Sequence, residues 1–168
     1  MKYKITKKNI FIALNEVIIY GIIVISLAVY LWFKFIDFFL IVSGLLVLFY
    51  LLIIFFPTII LFLNYYKCNK NVEIVLEKNK IIINNDVIYT SDIVQIDIYG
   101  NKMFLNGQVG VLPHHDNFYY LVLILKNNSR FILTSILGNN IEKKIKAKYP
   151  NLIYTKNVKS YPLVADKI

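Results

Sequence analysis

Residues 38–63 read FFLIVSGLLVLFYLLIIFFPTIILFL, a run of 26 residues without a charge. A shorter uncharged run, VIIYGIIVISLAVYLWF, precedes it at residues 17–33. An α-helix needs about 20 apolar residues to cross about 30 Å of hydrocarbon, and buried helices of soluble proteins seldom stay uncharged for so long. We therefore predict two transmembrane helices, spanning about residues 11–33 and 38–63.

The connection between the two runs is short, since only Lys34–Asp37 separates them, so the helices should form an antiparallel hairpin. Lysines flank the opposite ends of both helices, namely Lys2, Lys4, Lys7, Lys8, Lys67 and Lys70. The positive-inside rule then predicts that both termini are cytoplasmic and that the connection lies outside. A cleaved signal peptide is the competing interpretation, but no A-x-A-like site follows the first run and a second span comes directly after it.

Two features inside the hairpin predict local geometry. Ala28 and the pair Ser43–Gly44 lie about equally far from the turn, and small residues at one level would let the two backbones approach closely. Pro57 has no backbone N–H to donate to the carbonyl of Ile53, so we expect an irregularity in the second helix there.

The charge distribution bears on the class of partner. The chain has a formal net charge of +9 and a mean hydropathy of +0.59. Its lysines cluster beside apolar segments, which indicates attraction to anionic lipid head groups rather than to nucleic acid. Cys68 is the single cysteine, which excludes an intrachain disulfide.

The pattern changes to alternating apolar and polar residues after a short linker at residues 64–71. We assign residues 1–66 to the basic N-terminal segment and the hairpin, and residues 67–168 to a small cytoplasmic β domain. The predicted strands are Val72–Leu76, Lys80–Asn84, Val87–Thr90, Ile93–Tyr99, Phe118–Leu125 and Arg130–Ser135. The long connection at residues 100–117 contains one weak strand, Lys102–Leu105.

One amphipathic helix follows the strands, at residues 140–149, and Pro150 ends it. Ile141, Ile145 and Tyr149 recur at helical spacing and should form its buried face. Its solvated face is basic and is expected to lie against the membrane surface, with Lys143, Lys144, Lys146 and Lys148.

The tail at residues 152–168 is too apolar for a disordered end, and Pro162 prevents a continuous helix. We expect an extended segment. It either pairs with a sheet edge of its own domain or adds a strand to a partner, and the sequence leaves both open.

Three segments carry a family resemblance: VIYTSDIVQIDIY at residues 87–99, YYLVLILKNNSRFILTSIL at 119–137 and IEKKIKAKYP at 141–150. They resemble membrane-anchored bacterial PH-like proteins, including the YcxB-like group. The resemblance implies an α+β membrane protein: a transmembrane hairpin, then a small antiparallel PH-like β domain with a C-terminal helix, in the bacterial inner membrane. Lipid-binding PH domains clamp inositol phosphates with several basic residues of the first hairpin. Here that turn is Glu77-Lys78-Asn79-Lys80, which argues against a specific phosphoinositide site.

Residues with chemical potential are few. His114-His115-Asp116 is the only candidate metal or acid–base cluster, but adjacent strand residues point to opposite faces and no third histidine exists. No nucleophile motif or phosphate-binding loop occurs, so we expect no enzyme activity, no metal and no cofactor. Tyr65, Tyr66 and Lys67 fall where an interfacial belt is expected.

Two functions are compatible with this pattern. The leading hypothesis is a non-enzymatic, membrane-anchored interaction module that binds a protein, as an accessory subunit or scaffold of a larger membrane complex. The alternative is a membrane sensor that binds a lipid or a small ligand, suggested by the basic helix.

Overall fold

The computed structural model describes residues 2–34, 39–107 and 117–164. Most of the predicted Lys34–Asp37 connection, and the whole of the His114-His115-Asp116 cluster, lie outside the described residues. The α- and π-helical elements described, in chain order, are α1 Lys7–Lys34, α2 Phe39–Tyr50, a π-helical turn Leu51–Phe55, α3 Phe56–Asn69, α4 Lys102–Asn106 and α5 Ile141–Lys148. Two short 3-10 helices, Thr90–Asp92 and Ser135–Leu137, lie between strands and before α5.

Two continuous helical stretches, residues 7–33 and 41–69, are long and apolar enough to cross a membrane. They pack against each other, and one close contact lies at Gly21. The Tyr50 hydroxyl donates to the carbonyl of Val17 at 2.8 Å, and a Cβ on Gly21 would lie only 2.8 Å from that hydroxyl oxygen. Gly21 therefore makes room for the tyrosine that joins α1 to α2.

The predicted close approach of small residues is not seen at Gly44. A Cβ placed on Gly44 would meet nothing within 4 Å. Ala28, Ser43 and Gly44 instead line an open apolar cleft of about 610 Å³, beside Trp32 and Phe33. The prediction was wrong for Gly44, because equal depth along the hairpin does not bring the two helices into contact there.

The irregularity expected at Pro57 takes the form of the π-helical turn just before it. Proline cannot continue the helical hydrogen-bond ladder, and a π-helical turn accommodates the missing donor. The Thr58 hydroxyl donates to the carbonyl of Ile54 at 2.7 Å, so one carbonyl of this region gains a side-chain partner.

The β domain contains two four-stranded sheets. The first has the order β1-β2-β3-β4 and is antiparallel, with β1 Lys2–Lys4, β2 Glu73–Leu76, β3 Lys80–Ile83 and β4 Asp86–Tyr89. The second has the order β7-β6-β5-β8, with β5 Ile93–Gly100, β6 Tyr120–Leu125, β7 Arg130–Thr134 and β8 Tyr154–Val158. Each strand predicted between residues 72–99 and 118–135 is present, with ends shifted by at most two residues.

The core between the sheets is apolar and includes α5. Ile141 and Ile145 are fully buried and Tyr149 is 4% exposed, which confirms the predicted buried face of this helix. Burial raises the pKa of Tyr149 to about 12, so its phenol stays a donor at neutral pH. It donates to the carbonyls of Glu77 and Lys80, at 2.7 and 2.9 Å, and ties the end of α5 to the β2–β3 turn.

Three parts of the chain differ from expectation. Residues 102–105, predicted as a weak strand, belong to α4: the Asn101 side chain accepts from the N–H of Phe104 at 2.7 Å, and Gly107 ends the helix at φ 69°. The predicted linker is helical as far as Asn69, because α3 continues into it. The N-terminal segment adds β1, in which Tyr3 is buried.

The tail pairs with its own domain, which answers the question that the sequence leaves open. β8 lies parallel to β5, with Ile96 opposite Tyr154. The chain then returns to α3, where the Asn64 side chain both donates to and accepts from the backbone of Val164, at 3.1 and 2.9 Å. The tail therefore links the second sheet to the end of the long helix.

Candidate functional site

The junction between helices and domain is a second apolar core, on the outer face of the second sheet. Leu61 and Tyr65 of α3 are fully buried there, against Phe118 and Tyr120. The Tyr65 ring meets the Phe118 ring edge-on at 5.4 Å, and its hydroxyl donates to the carbonyl of Pro162 at 2.8 Å. These contacts hold the domain directly on the helices.

Tyr65 is therefore not the interfacial residue that the sequence predicts. The domain covers its ring completely, because the second sheet docks on the same face of α3. Tyr66 is 38% exposed and stacks on Phe62 at 5.9 Å, and Lys67 is exposed in the last turn of α3. For Tyr66 and Lys67 the interfacial position stays a prediction.

The polar edge of the junction joins α1 to the domain. The Asn117 side chain donates to a carboxylate oxygen of Glu16 at 2.9 Å. Asn9 acts similarly in the first turns of α1: its side-chain amide donates to the carbonyls of Lys4 and Leu137, at 3.1 and 3.0 Å. Asn9 therefore fixes the start of α1 beside the segment that leads into α5.

The basic face of α5 is divided in the structure. Lys143 and Lys144 lie in the first turn of α5, beside the start of α1, and each lines a cavity there. Lys146 bonds to Glu142 at 2.5 Å and lies over the Tyr154 ring at 5.5 Å. Lys148 is exposed at the far end of α5, next to Tyr149.

A groove of about 630 Å³ lies where β1, the start of α1 and the start of α5 meet. We call it the junction groove, and its principal residues are Lys2, Tyr3, Lys4, Lys8, Asn9 and Lys144. Tyr3 forms part of its apolar lining and packs so closely on Gly138 that a Cβ there would lie 2.8 Å from the ring. The Lys144 ammonium lies 5.2 Å from the centre of the same ring.

A smaller cavity of about 280 Å³ adjoins the junction groove and shares Asn9, Ile12 and Asn139 with it. Its wall includes Phe104 and Tyr119, whose rings stack at 4.2 Å. Among residues 2–34, 39–107 and 117–164, no group of three or more side chains is placed to hold a metal ion.

β4 is one of the two edge strands of the first sheet among the described residues, and β1 is the other. The N–H of Thr90 donates to the carbonyl of Asn79 at 2.9 Å, so Asn79 and Thr90 are a hydrogen-bonded pair where β3 and β4 run side by side. Hydrogen-bonded and non-hydrogen-bonded pairs alternate along an antiparallel ladder. Val87 and Tyr89 lie at non-hydrogen-bonded positions, so their backbone N–H and C=O groups point away from β3. Their side chains are 48% and 54% exposed.

A cavity of about 340 Å³ lies beside that edge, between β4 and the β6–β7 turn. Val87 and Asp92 line one side, and Lys126 and Asn127 line the other. The exposed side chains of Val87, Tyr89 and Val94 give this region an apolar surface. We call Val87, Tyr89 and Val94, with the backbone groups of β4 that point away from β3, the β4 edge.

Comparison with known proteins gives one family. A family model described as a PH domain matches residues 2–143. No curated protein and no solved structure matches the chain. The match begins at β1, runs through both long helices and ends within α5, so it covers well over half of the 168 residues. The chain therefore belongs to a PH domain family, and its two long apolar helices lie between the first and second strands of the domain.

Proposed function

We propose that the protein is a non-enzymatic interaction module of the bacterial inner membrane, an accessory subunit or scaffold that binds another protein. Both termini are cytoplasmic in this proposal, and the helical hairpin is the membrane anchor. The placement in the YcxB-like group of membrane-anchored PH-like proteins belongs to the same proposal.

The observation that carries the proposal is the direct packing of the domain on the helices. Leu61 and Tyr65 are buried against the second sheet, and Asn64 binds the tail. A domain fixed in this way presents its remaining surfaces at a constant height and angle to the bilayer. A constant geometry favours docking of a partner in the same membrane. A domain on a flexible linker would instead sample many positions and orientations relative to that partner.

The β4 edge supplies the docking surface in this proposal. β4 lies three strands from β1, which is about 14 Å at the usual strand spacing, so the helices that follow β1 leave it accessible. An extended segment of a partner would pair with the free backbone groups of Val87 and Tyr89 and cover their side chains. Val87 and Tyr89 expose apolar surface at this edge, so a partner strand with apolar residues at the facing positions fits best.

Purification of the tagged, full-length protein in mild detergent tests this function. We expect a stoichiometric partner protein with wild type and its loss in Val87→Lys/Tyr89→Lys, because two charges would face the incoming strand. The matched control is Ile153→Lys/Val158→Lys, which changes two side chains that are 62% and 61% exposed near β8. It should keep the partner.

Other outcomes decide against parts of the proposal. If only the control variant loses the partner, the docking site lies at β8 and not at the β4 edge. If wild type yields lipid without any stoichiometric protein, the sensor hypothesis replaces the interaction module.

A further inference from the structure

We propose that the junction groove binds the phosphate group of an anionic phospholipid from the bilayer in which the protein is anchored. The inference rests on the membrane anchoring in the proposed function, but not on the β4 edge or on a protein partner. It names a ligand class for a site that the chain forms only when its helices and its domain are packed together.

The charge of the groove is strongly positive. Four lysines line it: Lys2, Lys4, Lys8 and Lys144. Lys2 bonds to Glu73 at 2.6 Å, whereas Lys4, Lys8 and Lys144 make no ion pair among the described residues. Several ammonium groups around one cavity repel each other, and a bound phosphate relieves that repulsion.

The shape of the groove suits a head group. Its volume of about 630 Å³ lies within the range of about 300–1,000 Å³ that is usual for small-ligand sites. The half-buried Ile12 supplies apolar surface, while Thr6 and Asn139 supply polar groups. Apolar contact with a glycerol backbone and charge-assisted bonds to a phosphate are therefore both available at one place.

The position of the groove places it at the depth of the head groups. About 20 residues of α1, counted back from Phe33, cross about 30 Å of hydrocarbon, which puts the inner boundary near Leu14. Ile12 and Lys8, which line the groove, then lie about 3 and 9 Å beyond that boundary at 1.5 Å per residue. Phospholipid phosphates occupy this layer.

The division of the α5 lysines provides a test that the sequence alone does not. Lys144 belongs to the groove, whereas Lys148 lies at the far end of the helix. Non-specific electrostatic attraction to lipid depends on how many lysines are removed. Binding in the junction groove depends on which lysines are removed.

The experiment compares lipid binding by full-length proteins with equal charge. Wild type, Lys4→Gln/Lys8→Gln/Lys144→Gln and the control Lys78→Gln/Lys102→Gln/Lys148→Gln are purified in neutral detergent and titrated with fluorescent phosphatidylglycerol or phosphatidylcholine. We expect wild type and control to bind phosphatidylglycerol alike and the groove variant to bind at least about tenfold more weakly, since it loses three charge-assisted contacts to the phosphate. Phosphatidylcholine should bind weakly to all three proteins.

Each contrary result has a distinct meaning. Equal loss in both variants, or no loss in either, would overturn the groove. Competition by inorganic phosphate as strong as by the lipid would assign the groove to free phosphate instead. Resistance of each protein to extraction from membranes with alkaline carbonate reports on anchoring separately, and equal thermal unfolding of the variants shows that all are folded.

Discussion

Residues 70–168, expressed without the N-terminal segment and helices, should not behave as a soluble, folded domain. The truncation removes β1, which pairs with β2, and uncovers the face of the second sheet that the helices bury. Phe118 and Tyr120 are at most 1% exposed, and each aromatic side chain buries about 150–250 Å². An exposed apolar patch of this size leads to self-association.

Size-exclusion chromatography and thermal unfolding measure this effect. We expect large aggregates, or a monomer without a cooperative transition, while the full-length protein in detergent unfolds cooperatively. A monomeric fragment that unfolds at the same temperature as the full chain would show that the helices and β1 add nothing to the domain.

Ile145→Asp should unfold the β domain of the full-length protein. Ile145 is fully buried among residues of both sheets, so the substitution places a carboxylate in the core without a partner. We expect a loss of several kcal/mol, a large share of the about 5–15 kcal/mol that stabilises an ordinary domain.

Limited proteolysis of Ile145→Asp, beside the control Lys148→Asp at an exposed position of the same helix, measures this loss. Rapid cleavage within residues 70–164 is expected for Ile145→Asp, and a wild-type pattern for the control. Equal resistance of both variants would mean that α5 does not close the core.

The strand β6 is buried on both faces, and it shows why the sequence predicts the positions of the strands better than what covers them. Residues 118–125 read FYYLVLIL, an uninterrupted apolar run, and such runs are typical of strands that are covered on both faces. Tyr119 faces the core between the sheets, and Tyr120 faces the helices. The sequence contains this signal, but it does not say that α1 and α3 provide the second cover.

Short elements depend on contacts that local patterns do not contain. β1 consists of Lys2–Lys4, and only Tyr3 in it is apolar, so nothing distinguishes it from a solvated basic end. α4 does have a local signal, an Asn before it and a Gly after it, which is a frame typical of a short capped helix.

The junction groove likewise depends on tertiary structure. Lys2, Lys4 and Lys8 are near one another in the sequence, but Lys144 follows more than 130 residues later and reaches them through tertiary contacts, such as the bond from Asn9 to the carbonyl of Leu137. The lysines of α5 could be identified from the sequence. Which of them face the start of α1 could not.

Cysteine accessibility tests most directly whether the domain is cytoplasmic and fixed on the helices. In a Cys68→Ala background, single cysteines replace Tyr89, which is 54% exposed, and Val122, which is 2% exposed in the junction. A membrane-impermeant maleimide should label Tyr89→Cys in inverted vesicles but not in intact cells, and should label Val122→Cys in neither until denaturant is added. Labelling of Tyr89→Cys in intact cells would reverse the orientation, and labelling of Val122→Cys in inverted vesicles as fast as Tyr89→Cys would show a domain that is free of its helices.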